Sequence, residues 1–280
     1  MAYFYVDNDG VATLDAGRFA SKQTGSFTTL GTASAYVSIT AALAATTPPA
    51  SGDFIACSEL YSLISGGLTY AFPSTGAGVT CISVDDTAID TYKKGAKEDI
   101  SGGITISGKS AFYGFTQEVN TSLIAGGGSS LMLKDAVIRL VTSNDFVGSF
   151  NDGGYVRLLD CEINCVLVTA DCIRLSNGAR LDMIGGSITA TTTAAELLTS
   201  QSGNNGGCTL NMSGVDLSPV DGTLINTGDT QNTDDIIIVK IDGCKLNAGV
   251  AYSLGLSNEG QSILITRSAS TSAAAEYQYY

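Results

Sequence analysis

The chain has 280 residues, of which 44% are hydrophobic and 15% are charged, and this balance excludes a wholly disordered protein. Its 14 lysine and arginine residues face 27 aspartate and glutamate residues, which gives a net charge of −13. An acidic chain without a basic cluster repels phosphate groups, so nucleic acid is not expected as a partner.

Cysteine and histidine content narrows the possible sites. The seven cysteines form no CxxC pair, and the chain has no histidine, which excludes the usual zinc sites and any Ser-His or Cys-His catalytic pair. We expect the cysteines to be buried reduced thiols of a protein made in a reducing compartment, and a disulfide framework is the alternative. No signal sequence and no membrane-length apolar run are visible, so neither export nor a membrane is expected.

The first seventy residues predict one short helix followed by a strand. Ser38 is a suitable N-cap for the helix, and Pro48 with Pro49 ends it. The short apolar face of this helix consists of Ile39, Ala42 and Leu43. Residues 54–63 then predict the first strand.

From residue 84 onwards, a six-residue phrase recurs. It consists of an apolar residue, any residue, Asp or Gly, a small residue, any residue and an apolar residue. Its seven copies are VDDTAI (84–89), ISGKSA (106–111), LKDAVI (133–138), LLDCEI (158–163), MIGGSI (183–188), MSGVDL (212–217) and IDGCKL (241–246). Successive copies are 22, 27, 25, 25, 29 and 29 residues apart, and such a drifting period is typical of a repeat architecture.

The phrase and its flanks predict a solenoid. The flanking segments alternate apolar and polar residues, which is the period of a strand, and a position that accepts only Asp or Gly predicts a positive φ. Each phrase is therefore interpreted as two short strands that meet at a tight corner, and the repeat predicts coils stacked at about 4.8 Å. Ala136, Cys161 and Gly186 are expected to lie above one another inside this corner.

The N-terminal segment FYVDNDG (4–10), the Ala-rich helix, the Gly-Asp turn (52–53) and the following strand resemble the start of pectin-lyase-like right-handed parallel β-helices. The resemblance covers residues 3–64 by motif order and 79–267 by coil pattern. It implies an all-β fold, a single-stranded right-handed parallel β-helix whose N-terminal helix caps the first coil. The implied parts are an N-terminal segment with the first coil, the β-helix and a C-terminal arm, at 1–70, 71–267 and 268–280.

Enzymes of that fold mostly act on acidic polysaccharides, with calcium-binding carboxylates and a basic residue or with an Asp cluster. No such motif matches this chain, which has no histidine and only scattered arginines. Asp135 and Asp160 occupy the same corner on adjacent coils and are candidates for paired carboxylates about 5 Å apart. Glycine at this position on the next three coils favours a structural role. We therefore predict no catalytic residue, no cofactor and no metal, with a calcium ion on such carboxylates as the alternative.

The tail SASTSAAAEYQYY (268–280) departs from the coil pattern. Its aromatic residues suit an arm that docks on a neighbouring molecule, as do those at the N-terminus. The candidate oligomer or capsid contacts are Tyr3, Phe4, Tyr5, Tyr277, Tyr279 and Tyr280.

Short β-helices that resemble this one occur in bacteriophages as trimeric spikes, fibres and head-decoration proteins. We therefore expect a non-enzymatic structural protein of a virion assembled in the host cytoplasm, namely a capsid decoration or cement protein that binds the head surface. The expected partners are further copies of the chain in a homotrimer and the major capsid protein or another virion protein. The alternatives are a tail spike or fibre that binds or degrades polysaccharide, and a secreted carbohydrate-binding module. The irregular spacing of Tyr113, Tyr155 and Tyr252 disfavours the last of these.

Overall fold

Strands account for almost all of the regular structure among the residues that the structure describes. In a computed structural model, the described residues are 3–7, 36–85, 88–120, 123–125, 128–140, 154–165, 173–175, 178–190, 199–200, 208–220, 223–226, 236–246, 251–253 and 262–267. No helix within these ranges has the length and apolar character needed to span a bilayer.

The described residues contain one helix, α1 (Ile39–Leu43), and 26 strands. In chain order, the strands are β1 (Tyr3–Val6), β2 (Phe54–Ser58), β3 (Ser62–Ser65), β4 (Leu68–Ala71), β5 (Val79–Asp85), β6 (Ala88–Tyr92), β7 (Lys97–Ile100), β8 (Ile104–Ser107), β9 (Lys109–Tyr113), β10 (Thr116–Val119), β11 (Leu123–Ala125), β12 (Ser130–Lys134), β13 (Val137–Leu140), β14 (Tyr155–Leu159), β15 (Glu162–Asn164), β16 (Arg174–Leu175), β17 (Arg180–Ile184), β18 (Ser187–Thr189), β19 (Thr199–Ser200), β20 (Cys208–Ser213), β21 (Asp216–Leu217), β22 (Thr223–Asn226), β23 (Ile236–Asp242), β24 (Lys245–Leu246), β25 (Ala251–Ser253) and β26 (Ser262–Arg267).

These strands form four sheets. The long sheet has the order β1-β2-β5-β9-β12-β14-β17-β20-β23-β26, and β6 pairs with β5. The second sheet has the order β3-β7-β10-β13-β15-β18-β21-β24, and two short sheets have the orders β4-β8-β11 and β16-β19-β22-β25. Among the described strands, β5 and β6 form the one antiparallel pair. Because the chain returns to each sheet one strand further on, the topology is consistent with the predicted solenoid.

The register of the long sheet confirms five of the seven predicted phrases. Their first residues are buried register partners on successive strands, namely Leu133, Leu158, Met183, Met212 and Ile241. Since the register does not shift between these strands, the drift in the repeat length is accommodated in the connections between strands.

The first two phrases do not lie at the predicted corner. ISGKSA (106–111) runs from β8 into β9, which is the corner between a short sheet and the long sheet. The corner that aligns with Asp135 is Gly114, because Lys134 pairs with Tyr113. Both Gly108 and Gly114 have positive φ, at 79° and 76°, so a glycine between alternating segments does not identify which corner it forms.

VDDTAI (84–89) fails for a different reason. It runs from β5 into β6, a strand that folds back on β5 before the chain enters the second sheet, and Asp86 lies outside the described residues. The register of Lys97 with Thr116 places the aligned corner of this coil at Gly95 and Ala96. The six-residue pattern does not distinguish this inserted strand from the strand that follows a corner.

The predicted positive φ at the corner is confirmed. Asp135 has a φ of 53° and Asp160 a φ of 51°, and the aligned glycines at 185, 214 and 243 have values of 66°, 64° and 58°. Ala136 and Cys161 are buried beside this position, as expected. Gly186 is exposed instead, and a Cβ there would lie 2.0 Å from the carbonyl oxygen of Cys161, so glycine is required by close backbone contact.

The predicted helix is present, but it ends at Leu43, before the Pro48-Pro49 pair that was expected to end it. The Ser38 hydroxyl accepts a hydrogen bond from the N–H of Ala41 at 3.0 Å, which satisfies one of the free donors of the first turn. Ile39 and Ala42 are fully buried, and α1 contacts β1 and β4. The strand predicted at 54–63 is two strands, β2 and β3, because the chain turns a corner at Glu59 and Leu60.

Most of the cysteines behave as predicted. The buried free thiols are Cys57, Cys81, Cys161, Cys208 and Cys244. Cys165 is instead disulfide-bonded, with a partner outside the described residues, and this corrects the expectation of reduced thiols throughout. Cys165 lies outside the repeated phrase, whose small fourth position places Cys161 and Cys244 in the core.

Candidate functional site

Asp135 and Asp160 lie at stacked corners between the long and second sheets. Their backbone N–H groups donate to the carbonyl oxygens of Leu159 and Ile184, both at 2.9 Å. The Asp135 carboxylate also accepts from the Tyr92 hydroxyl at 3.2 Å and forms an ion pair with Lys94 at 3.0 Å.

The environment of Asp135 favours a structural carboxylate. Burial acts to raise the pKa of Asp135, but the ion pair with Lys94 and the hydrogen bond from Tyr92 outweigh it and lower this pKa. A general acid requires the opposite shift, toward a protonated carboxyl at neutral pH. Asp135 therefore stabilises the contact between its own corner and the segment that contains Tyr92 and Lys94, and it is not suited to donate a proton.

A second polar cluster, which the sequence did not predict, surrounds Asp182 on the outer face of the long sheet. Its Oδ2 accepts from the Tyr155 hydroxyl and from Arg180 Nη2, both at 2.8 Å. Its Oδ1 accepts from Arg180 Nε at 2.9 Å and from Asn211 Nδ2 at 2.6 Å. The Arg180 guanidinium also lies 5.3 Å from the centre of the Tyr155 ring, so the cluster joins β14, β17 and β20.

The four donors determine what Asp182 can do. Burial acts to raise its pKa, yet the hydrogen bonds from Arg180, Asn211 and Tyr155 outweigh burial and lower it. A carboxylate whose two oxygens each accept two hydrogen bonds is a poor base, because protonation would break charge-assisted bonds. Sequence alternation places these residues on the outer face, but it does not show which strands are neighbours.

Beside this cluster, the outer face of the long sheet has a depression of about 340 Å³. Its lining includes Asp182, Ile184, Asn211, Ser213 and Lys240, which are register neighbours on β17, β20 and β23. The Oδ1 atom of Asn211 is buried and has no hydrogen-bond partner in the described part of the chain. The depression therefore offers the Ser213 hydroxyl and the Lys240 amine to a polar ligand, whereas Asn211 Oδ1 is not accessible from it.

A third polar group lies inside the coils. Glu98 is fully buried at a position of the second sheet that is occupied by leucine on one neighbouring strand and by Gln117 on the other. Its carboxylate accepts hydrogen bonds from the Tyr70 hydroxyl and from Gln117 Nε2, the latter at 3.0 Å. Burial raises the pKa of Glu98, and these two hydrogen bonds only partly oppose the shift. The sequence indicates this site, because Glu98 and the core residue Ile100 are two positions apart in β7 and therefore lie on the same face of the strand.

The predicted contact residues are only partly described. Tyr5 is 2% exposed and belongs to the core of the chain, whereas Phe4 is half-buried beside Tyr36, with ring centres 6.2 Å apart. The side chain of Tyr3 lies outside the described residues, as do Tyr277, Tyr279 and Tyr280. Their role in oligomer or capsid contacts stays a prediction.

In the described part of the chain, no three Cys, Asp or Glu side chains lie close enough together to hold a metal ion. Comparisons of the chain with protein-family models, with curated proteins and with solved structures found no match in any of the three.

Proposed function

We propose that this chain is a structural protein of a bacteriophage virion, a decoration protein that binds the head surface as a homo-oligomer, with a trimer as the favoured assembly. The observation that carries this proposal is that charged side chains on the outer faces connect one coil to another. The pairs are Glu59–Lys93, Lys97–Glu118, Arg139–Glu118, Lys94–Asp135 and Lys245–Asp216, at 2.7, 2.9, 2.8, 3.0 and 3.4 Å.

These pairs favour a mechanical role over a chemical one. Exposed ion pairs each contribute little to stability, but these pairs act between coils that already share a continuous core. Coils that are joined by such ion pairs suit a protein that must remain folded on the outside of a particle.

The proposal includes a right-handed parallel β-helix with α1 as its N-terminal cap. Crossover connections between parallel strands of one sheet are right-handed in about 98% of cases, which supports this hand. The buried Ile39 and Ala42 and the contacts of α1 with β1 and β4 support a capping role.

The virion location rests on an argument from fold: residues 3–64 and 79–267 resemble pectin-lyase-like right-handed parallel β-helices, and short β-helices of this kind occur in bacteriophage virions. Assembly in the host cytoplasm and contact with the major capsid protein, or another virion protein, follow from the same argument. Neither nucleic acid nor a membrane is part of the proposal, because a net charge of −13 opposes binding to phosphate backbones.

Particle composition tests this proposal directly. Particles purified by density from a lysed culture of the host that carries the gene are examined by mass spectrometry and by immunogold labelling with an antibody against the folded chain. Many copies per particle, with gold on the heads, are the expected result. Gold confined to tails would support the second candidate below, and absence from purified particles would reject both.

The second candidate is a tail spike or fibre that binds or degrades polysaccharide. The depression beside Asp182, lined by the exposed Ser213 and Lys240, is the observation that favours it. Incubation with capsular and lipopolysaccharide preparations, followed by assays for bound glycan and for new reducing ends, tests it. Asn211→Ala is expected to weaken glycan binding if this candidate is correct, with the distant surface variant Thr116→Ala as the control.

A further inference from the structure

Basic side chains are concentrated on the outer face of the long sheet. From β9 to β23, the outward positions carry five of the 14 lysine and arginine residues of the chain but two of its 27 aspartate and glutamate residues. The basic residues are Lys109, Lys134, Arg157, Arg180 and Lys240, and the acidic ones are Asp182 and Asp242. In a chain with a net charge of −13, this surface has an excess of positive charge, and we call it the basic face.

The second sheet provides a comparison within the same chain. On its outer face, each lysine or arginine of the described strands forms an ion pair with a carboxylate. The pairs are Lys97–Glu118, Arg139–Glu118 and Lys245–Asp216, at 2.9, 2.8 and 3.4 Å. Positive charge on that face is therefore balanced by side chains of the same sheet.

The basic face lacks this balance. No ion pair joins Lys134, Arg157 or Lys240 to a described residue. Lys109 donates to the carbonyl oxygen of Gly76 at 3.3 Å, which satisfies a donor but leaves the charge uncompensated. These residues therefore keep positive charge that the described part of the chain does not neutralise.

Arg157 shows most clearly that the missing partner is external. Its register partner on β17 is Asp182, but both oxygens of that carboxylate already accept two hydrogen bonds each. The Arg157 side chain is exposed, and among the described residues its guanidinium has no hydrogen-bond acceptor. A guanidinium with free donors suits bidentate binding of a carboxylate, which is how Arg180 binds Asp182.

The neighbours of Arg157 add to the demand for negative charge. Lys134 on β12 and Arg180 on β17 are its diagonal neighbours, since each lies one strand and two residues away. A strand spacing of about 4.8 Å and a two-residue step of about 6.7 Å place these Cα atoms roughly 8 Å from that of Arg157. Three cations thus share the single carboxylate of Asp182, and further carboxylates would relieve their mutual repulsion.

The other residues of this region favour a protein as the source of those carboxylates. Met132 is the register partner of Arg157, and Tyr113 is that of Lys134, and both are half-buried on the outer face. Arginine, tyrosine and methionine are enriched at protein–protein interfaces. A phosphate polymer, in contrast, is opposed by the net charge of the whole chain.

We infer that the basic face is the docking surface for an acidic protein, whose aspartate or glutamate side chains bind Lys134, Arg157 and Lys240. This inference rests on the proposed function, because it specifies the chemistry of the particle protein that the chain contacts. The sequence has no basic run at these positions, and only the strand register brings the cations together.

A matched pair of arginine variants tests the inference. Arg157→Gln removes a cation without a partner from the basic face, and Arg139→Gln removes an exposed cation that is paired with Glu118 on the second sheet. The full-length wild type and both variants are titrated into fluorescently labelled poly-L-glutamate at low ionic strength, and fluorescence anisotropy measures binding. Circular dichroism melts measure the stability of each chain.

The wild type and Arg139→Gln are expected to bind poly-L-glutamate with equal affinity, and Arg157→Gln at least about tenfold more weakly. Added salt should weaken binding by all three chains, because exposed charges are screened. The melting temperature of Arg157→Gln should be no lower than that of the wild type, since no described residue pairs with Arg157. A structural role for Arg157 would instead lower the melting temperature.

The inference is overturned if the wild type does not bind poly-L-glutamate, or if the two variants lose equal affinity. Tighter binding of polygalacturonate or of single-stranded DNA in the same assay would replace the acidic protein with a glycan or a nucleic acid. Self-association of the wild type that Arg157→Gln abolishes, measured by light scattering, would assign the basic face to a second copy of the chain. Particle composition tests the virion location separately, so either proposal can fail while the other stands.

Discussion

Glu98 accepts a hydrogen bond from the side-chain amide of Gln117, one strand away, at 3.0 Å, and both side chains are fully buried. A carboxyl group thus lies among residues that are otherwise apolar or aromatic, including the buried Phe112 and Ile100. Such a group makes the stability of the coils depend on pH.

The first prediction concerns Glu98→Gln. Because burial raises the pKa of Glu98 in the folded chain, its contribution to stability is complete below the unfolded pKa of about 4.3 and is lost as pH rises through the folded pKa. As pH rises over this range, the free energy of unfolding of the wild type is therefore expected to fall by about 1.4 kcal/mol per unit of pKa shift. The free energy of unfolding of Glu98→Gln is expected to fall less. Urea unfolding at pH 4, 6 and 8 measures the difference.

The control for this experiment is Glu118→Gln. The pKa of Glu118 is lowered by its bonds to Lys97 and Arg139, so its contribution is present above the unfolded pKa and is lost as pH falls through the folded pKa. The two variants should thus change the pH profile in opposite directions. If Glu98→Gln and the wild type show parallel pH profiles, the pKa of Glu98 is the same in the folded and unfolded states, which contradicts the prediction.

The second prediction concerns the corner residue Asp160, whose φ is 51°. Asp160→Gly should preserve stability, whereas Asp160→Val should lower the free energy of unfolding by about 1–2 kcal/mol, because a β-branched residue is strained at positive φ. Glu162→Val, two residues along in β15, is the matched control and should have little effect. Equal losses for the two valine variants would contradict a backbone origin, and chemical unfolding at neutral pH distinguishes these outcomes.

The third prediction concerns the Asp182 cluster. Tyr155→Phe removes one donor and should lower the free energy of unfolding by about 1 kcal/mol, whereas Asp182→Ala strands Arg180 and Asn211 and should cost about 1–3 kcal/mol. Because the pKa of Asp182 is lowered, the difference between wild type and Asp182→Ala should persist above the unfolded pKa of about 3.9 and diminish as pH falls through the folded pKa. A difference that does not depend on pH would assign the effect to packing.

The fourth prediction concerns the cysteines. Burial raises the pKa of Cys161 to about 11, and Cys57 and Cys81 are shifted upward in the same way, so no rapid reaction with Ellman's reagent is expected in the native chain. In denaturant without reductant, five of the seven cysteines should react, since a disulfide formed by Cys165 consumes two. All seven should react after reduction. Seven reactive thiols before reduction would contradict the disulfide.

The repeated phrase was sufficient to predict the coil architecture because its periodicity is a property of the backbone. Asp135 and Asp160 were assigned to a positive-φ corner from the glycines at aligned positions, and both angles confirm that assignment. The same reasoning misplaced Gly108, because the other corner of the coil makes the same demand on the backbone.

The polar clusters were less accessible to sequence analysis. Tyr155, Asp182 and Asn211 are separated by 27 and 29 residues, and only the strand register brings them together. Glu98 was recognisable in principle from its place on the inward side of β7. The disulfide of Cys165 depends on the course of a connection between strands, which periodicity does not describe.

The constant register from β12 to β14 and from β14 to β17 has a consequence for how such a chain changes length in evolution. Each step spans 25 residues and ends at an equivalent corner, so excision of residues 135–159 would join Lys134 to Asp160, which takes the place of Asp135. Gain or loss of such a segment would alter the reach of the molecule in steps of about 4.8 Å while both ends keep their own sequence. The length of the protein along the stack can therefore change only in whole coils.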